Sequence, residues 1–255
     1  MKNVIVALLL LIFFGSCKKK EETTNVMVLS SIHGAHAINP NYSYKDLFNI
    51  IETYNPDIIG VEIRSEDMGQ DDDYLKNFYP LEMRMVKDSF PTKSEGLDFY
   101  GEEVKGKLIP IDAFKDSTSE LGQYVYLEKL LVKDSVFSEK KMEIGLKELQ
   151  GKQTKMALES SAEELMNGIY DMITREYYLK LDSLLLDTPY EYLSDFNTKR
   201  DVEITANALN LIKNNTSKKI LILVGANHRG RIIDSLKGET SIKLIENLEF
   251  ISIKK

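Results

Sequence analysis

The chain holds three histidines, His33, His36 and His228, and they fall at only two places. His33 and His36 follow the largely apolar run Val26 to Ile32, and His228 follows Ile220 to Val224 and a break at Gly225. Two carboxylates stand at comparable positions: Glu62 after Ile58 to Val61, and Asp112 after Leu108 to Ile111. Two imidazoles with one or two carboxylates suit two chemistries. They can form a metal site of the two-histidine, one-carboxylate kind, with open positions for water or substrate. They can also supply a general base and the carboxylate that orients it. No local spacing such as His-Glu-x-x-His occurs, so these residues can meet only through the fold. His36 lies past the turn and is a candidate outer-shell or substrate contact. Arg229, beside His228, is a candidate substrate contact with a solvated loop residue as the alternative. Asp112 borders the same expected edge or caps the following turn.

The elements that must position these residues are legible as hydrophobic periods. Asn25 to Ile32 reads as a first strand. Ser43 to Asp46 resembles a helix start, and Leu47, Ile50, Ile51 and Tyr54 give one apolar helical face. Asn55-Pro56 stops that helix, and Asp57 to Arg64 is a second strand. Asp71 to Asp88 is helical, with Pro80 kinking it or splitting it in two. Lys107 to Asp112 reads as a short third strand, and Pro110 places it at an edge. Ser117 to Leu186 has no proline and long helical periodicities; Met142 to Ser161, with Gly145 and Gly151, is the weaker stretch and a candidate loop between helices. Thr198 to Asn214 is a further helix. Lys218 to Gly225 is a strand whose unbroken apolar run suits cover on both faces. Ile242 to Ile245 and Leu248 to Ile253 read as a hairpin.

Strands alternating with helices predict an α/β fold. The expected architecture is a largely parallel central sheet with flanking helices, a helical insertion at about 117–190 before the last parallel strand, and a short antiparallel hairpin at the end. Parallel strands present their carboxyl ends at one edge, where open α/β sheets bind ligands.

The N-terminus has its own logic. Met1-Lys2-Asn3 precedes the apolar run Val4 to Phe14, which is too short for an ordinary membrane span but fits a secretory signal peptide over residues 1–16. Phe14-Gly15-Ser16-Cys17 resembles the bacterial lipobox, in which the cysteine is lipidated; a free buried cysteine is the alternative. Residues 17–24 then read as a lipidated, solvated tether, and 25–255 as one folded domain. The implied location is the bacterial cell envelope, extracytoplasmic and held to the membrane by palmitate-type acylation. Cys17 is the only cysteine, so no intramolecular disulfide can form. A net charge of −7, without a basic domain or stripe, argues against nucleic acid as a partner.

Taken together the motifs resemble the TraB, PrgY, GumN and Tiki superfamily, related more distantly to erythromycin esterases and to ChaN-like haem-binding lipoproteins. Gly225-Ala226-Asn227-His228 matches that family's second Gly-x-x-His motif. Ser30-Ser31-Ile32-His33 stands for the first, with serine in the glycine position. Val61-Glu62 after Pro56-Asp57 matches its glutamate strand, and Lys199-Arg200-Asp201 its basic-acidic helix signature. The resemblance covers most of the chain after the tether and the helical middle least. It implies a metal-dependent hydrolase, a peptidase in some Tiki relatives. His33, Glu62 and His228 would hold a divalent Mn, Co or Zn ion and activate water, while Arg200 would hold a substrate carboxylate or an oxyanion. The substrate would be an unidentified peptide or small molecule. A metal-free esterase-like hydrolase and a non-catalytic haem- or peptide-binding lipoprotein are the alternatives. For a shared metal the three donors should stand roughly 3–4 Å apart.

Overall fold

A computed structural model describes residues 23–249. Cys17, the signal peptide and most of the tether lie outside the described residues. Among the described residues no helix is long and apolar enough to cross a membrane.

β1 (Thr24–Ser31) begins at Thr24, one residue inside the expected tether. A single-turn 3-10 helix, His33–Ala37, leads to α1 (Tyr44–Tyr54). There Ser43 Oγ accepts the Asp46 N–H and the Asp46 carboxylate accepts the Ser43 N–H, the reciprocal box that the sequence suggests. β2 (Ile58–Val61) follows, then α2 (Asp72–Leu75) and α3 (Leu81–Ser89), which Pro80 separates as expected. After β3 (Ser94–Gly96) the insertion carries α4 (Glu120–Lys133), α5 (Ser135–Glu143), α6 (Leu146–Glu159), α7 (Ala162–Met166) and α8 (Ile169–Leu185). α9 (Glu191–Asn214), β4 (Lys219–Gly225), α10 (Ala226–Leu236) and β5 (Ile242–Leu244) complete the described chain.

The five strands form one parallel sheet in the order β3-β2-β4-β1-β5. Strand side chains alternate between its faces. Val26 and Val28 of β1 and Ile220, Ile222 and Val224 of β4 face α9 and α10, against Ile204, Ala208, Leu211, Ile232 and Ile233. Met27, Leu29, Leu221 and Leu223 face the other way, onto Leu47, Ile50 and Ile51 of α1 and Met83 and Val86 of α3. Burial on both faces is what the unbroken apolar run of β4 requires. The insertion has a third core of its own around Leu131, Leu146, Leu181, Leu185 and Leu193.

Three expectations fail, each for a physical reason. The third strand is Ser94–Gly96, paired with β2 from Ile59↔Ser94 to Val61↔Gly96, and not Lys107–Asp112. Its edge position needs no apolar face, so hydropathy passes over it. In the other segment Leu108 and Ile111 are exposed, and Ile109 is bonded through its N–H and its carbonyl to Tyr74 Oη rather than to a strand. Residues 146–159 are helical, because Gly145 adopts φ 78° at the N-cap of α6 and so begins a helix where a loop was expected. The last described strand is parallel to β1, Thr24↔Ile242 to Val26↔Leu244, rather than an antiparallel hairpin arm. α10 is the crossover that returns the chain to the same edge of the sheet. Leu248 and Glu249 belong to no strand, and the rest of the expected second arm lies outside the described residues.

Candidate active site

The strand order decides which residues meet. β4 lies between β1 and β2, so the tip of β4 is flanked by the residues that follow its two neighbours. His33 follows β1 after Ile32, Glu62 is the first residue after β2, and Gly225 closes β4. A Cβ built on Gly225 would stand 2.7 Å from His33 Nε2 and 3.2 Å from Glu62 Oε2. Only glycine leaves that space, and the two functional groups therefore border one point. Ser30, in place of the first motif's glycine, sits in extended β1 and has no positive φ; the left-handed residue is His33 itself, at φ 51°.

Glu62 is the hub. Its Oε2 accepts the Gly225 N–H at 2.5 Å, and its Oε1 accepts Arg200 Nη2 at 2.9 Å and lies 3.4 Å from His228 Nε2. Arg200 is placed by α9. It bonds Asp98 through Nε and Nη2, both at 2.9 Å, and its guanidinium lies 5.1 Å from the centre of the Tyr100 ring. Its Nη1 stands 3.5 Å from His228 Nε2. His228, in the first turn of α10, is bonded through Nδ1 to Asp201, the residue after Arg200 on α9.

His33 repeats that backing from another direction. Its Nδ1 is bonded to Glu82 Oε1 at 2.8 Å, and Ser31 Oγ donates to the same oxygen at 2.7 Å. Glu82 is fully buried in the first turn of α3, and its Oε2 has no hydrogen-bond partner among the described residues. The two site imidazoles thus each have a carboxylate on Nδ1, which leaves Nε2 to face Glu62 and the tip of β4. They differ in exposure: the His33 side chain is 43% exposed and that of His228 13%.

The charges are strongly coupled. Burial would raise the Glu62 carboxyl, but His228, Arg200 and His33 hold it well below the usual carboxylate range. Burial would lower His228, but Glu62 and Asp201 raise it to about 9 against the opposing charge of Arg200. Burial would likewise lower His33, yet the bond to Glu82 and the field of Glu62 leave it above its ordinary 6.5. At neutral pH the buried centre is therefore an ionised glutamate between Arg200 and a cationic His228, with His33 at its exposed margin.

The expected metal would draw on His33, Glu62 and His228. Two imidazoles with carboxylates on Nδ1 are the outer shell of many metal sites, and the His228 Nε2 to Glu62 Oε1 distance is 3.4 Å. As arranged, no group of three His, Cys, Asp or Glu side chains among the described residues is set to hold an ion. Arg200 donates to Glu62 Oε1 at 2.9 Å, and its Nη1 stands 3.5 Å from His228 Nε2.

The remaining candidates lie elsewhere. His36 is buried: Nδ1 is bonded to the Tyr42 carbonyl at 2.9 Å and Nε2 accepts the Ile32 N–H at 3.2 Å, which braces the turn carrying His33. Arg229 is buried on the flank of β1, donating to the carbonyls of Val28 and Met166 and paired with Asp171. Asp112 is exposed on a turn and shares with Tyr100 the lining of a small cavity of about 160 Å³. Asp98, which follows the true third strand, holds the place expected for it. Asp98→Ala should cost about 1–3 kcal/mol, because Arg200 loses a charged hydrogen-bond partner. Asp112→Ala should stay within about 0.5 kcal/mol of the parent. Urea unfolding of both variants checks the pair. Nothing in the sequence marks Glu82 or Asp98, and Asp201 stands out only as part of the helix signature.

Two larger cavities lie beside the site on the insertion side. One of about 440 Å³ touches Asp201 and Asn227, and one of about 560 Å³ touches Asn197 and Asn227. Neither is lined by His33, Glu62, Arg200 or His228, so they meet the cluster through its neighbours. No family model matches the chain, and no curated protein or solved structure matches it.

Proposed function

We propose that this protein is a hydrolase of the cell envelope, with His33 as general base and the Arg200–His228 cation pair as the group that stabilises the developing oxyanion. The observation that carries this reading is the asymmetry between two carboxylate-backed imidazoles around Glu62: one half-exposed, one more buried and cationic. In the proposed reaction His33 Nε2 takes a proton from water as the oxygen adds to a carbonyl carbon. Arg200 and His228 face the negative oxygen of the tetrahedral intermediate, and His33 returns the proton to the leaving group. Glu82 keeps the His33 ring in one tautomer, and Asp201 holds the cationic His228 ring in place.

The pH dependence tests it. His33 must be neutral to accept a proton, so the rate should rise with pH through a value above 6.5. His228 must be cationic, so the rate should fall above about 9. A bell-shaped kcat/KM profile between those limbs is expected for the purified full chain on p-nitrophenyl esters or fluorogenic peptides. A flat profile, or one with a single acid limb near that of a free carboxylate, would contradict the assignment.

The second reading is the metal-dependent hydrolase of the TraB and Tiki kind. The carboxylates behind both rings favour it. It requires Arg200 to leave its place between Glu62 and His228. His33, Glu62 and His228 would then hold a Mn, Co or Zn ion, and the ion would supply Lewis-acid activation of water. Stoichiometric metal in the purified protein that is lost in His228→Ala would establish this reading over the metal-free one. A haem- or peptide-binding role without catalysis is the remaining alternative, tested by haem titration. Anchoring through Cys17 belongs to the same proposal, and labelling by a palmitate analogue should vanish in Cys17→Ala.

A further inference from the structure

Ser31, His33 and Glu82 are the residue types of a nucleophile, base and carboxylate triad, and they touch one another. Their order is not that of a triad. In a triad the hydroxyl bonds the base, and the carboxylate takes the far side of the ring. Here the hydroxyl bonds the carboxylate. Ser31 Oγ donates to Glu82 Oε1 at 2.7 Å, and His33 Nδ1 is bonded to the same oxygen at 2.8 Å. Ser31 is fully buried, so no acyl carbon reaches its oxygen and it is not a nucleophile.

The hydroxyl instead holds residue 33 at two points. It accepts the His33 backbone N–H at 3.1 Å, and through Glu82 it meets the ring. That backbone stands at φ 51°, a region that residues with a Cβ adopt rarely and that needs such support. The single hydroxyl proton has one good acceptor. His36 Nε2, 3.3 Å away, is already taken by the Ile32 N–H at 3.2 Å, and the bond to Glu82 is shorter. Glu82 in turn has both of its side-chain donors, Ser31 and His33, on Oε1, and Oε2 has no partner among the described residues. Without Ser31 the ring alone would orient that carboxylate. Ser31 itself is fixed by the sheet, opposite Gly225 in the last rung of the β1–β4 pairing.

We propose that Ser31 is a positioning residue for the general base: its hydroxyl ties the His33 backbone and the Glu82 carboxylate to the end of β1, and so sets the direction of His33 Nε2. The effect on rate rests on the hydrolase reading; the effect on the ring does not. Ser30 is the internal control. It neighbours Ser31 in the same strand, points to the other face, is equally buried, and its hydroxyl has no partner among the described residues.

Two measurements on the purified full chain test this. In protein labelled with 15N-histidine, NMR follows the solvent exchange of the ring N–H protons of His33 and His228, each bonded to a carboxylate. Ser31→Ala should speed exchange at the His33 ring roughly tenfold and leave His228 unchanged, as for the loss of one hydrogen bond to a charged group. On p-nitrophenyl hexanoate the same variant should lose roughly tenfold in kcat at unchanged KM. Ser30→Ala should match wild type in both. Ser31→Cys keeps the side-chain shape but donates weakly, so it should behave as Ser31→Ala and replaces it if the alanine variant does not fold. Wild-type exchange and kcat in the Ser31 variants, or the same losses in Ser30→Ala, would overturn the proposal. If the wild type hydrolyses no ester, the hydrolase reading fails separately, and exchange at the His33 ring alone decides the role of Ser31.

Discussion

Alanine at His33 or at His228 is expected to lower hydrolysis by at least ~100-fold, the lower end for a positioned acid or base. The two losses should differ in character. His33 is half-exposed and carries the proton, so His33→Ala should remove the low-pH limb of the rate profile. His228 is buried among charges, so His228→Ala should also disturb Glu62 and Arg200 and lower stability. His36→Ala should act mainly on stability, since its ring braces the turn through Tyr42 and Ile32. His33 is also the residue with φ 51° at the site, a backbone state that costs roughly 1–2 kcal/mol in a residue with a Cβ. His33→Gly should therefore be inactive yet unfold at no lower a temperature than His33→Ala. Loss of activity that is equal and small at all three histidines would point to a binding protein instead.

The largest effect on stability is expected at Glu62. Glu62→Ala removes the acceptor of the Gly225 N–H and the partner of the partly buried Arg200 and His228 at a carboxylate that is itself buried. Breaking a buried pair from one side typically costs about 3–5 kcal/mol, because the remaining charges are left uncompensated. Urea unfolding of Glu62→Ala against wild type measures it. The pH dependence has a definite sign at each end. Glu62 titrates below its unfolded value, so its contribution is present above that value and is lost as pH falls through the folded one. His228 is raised, so its contribution is complete below 6.5 and is lost as pH rises through about 9. The variant should show a flatter stability profile at both extremes. A profile parallel to that of wild type would mean that the two groups are not coupled.

What was legible in the sequence follows from what hydropathy can see. His33, Glu62 and His228 each terminate or closely follow an apolar run, and a parallel sheet carries such residues to one edge. Their convergence needed no side-chain information. The failures come where side-chain direction or a weak strand decides. Arg229 is next to His228 in sequence, but adjacent helical residues point about 100° apart, and that turn aims Arg229 at Asp171 behind the sheet. Asp98 follows a three-residue strand, Ser94-Glu95-Gly96, with no apolar residue in it, so no period marks it. Glu82 reads as an ordinary acidic residue in a first helical turn. Its complete burial against His33 and Ser31 is a product of tertiary packing. Arg200 could be carried over from the helix signature, but its fork onto Asp98 and Glu62 could not.

Since the chain has only three histidines, their individual titration by NMR tests the coupled site most directly. His228 should remain protonated to about pH 9 and His33 should titrate above 6.5, while His36, which burial lowers against the raising effect of Tyr42 and Glu82, should titrate below it. In Glu62→Gln the His228 midpoint should fall and that of His33 should follow in the same direction, since Glu62 raises both. A His228 that titrates near 6.5 in the wild type and does not move on Glu62→Gln would contradict the account.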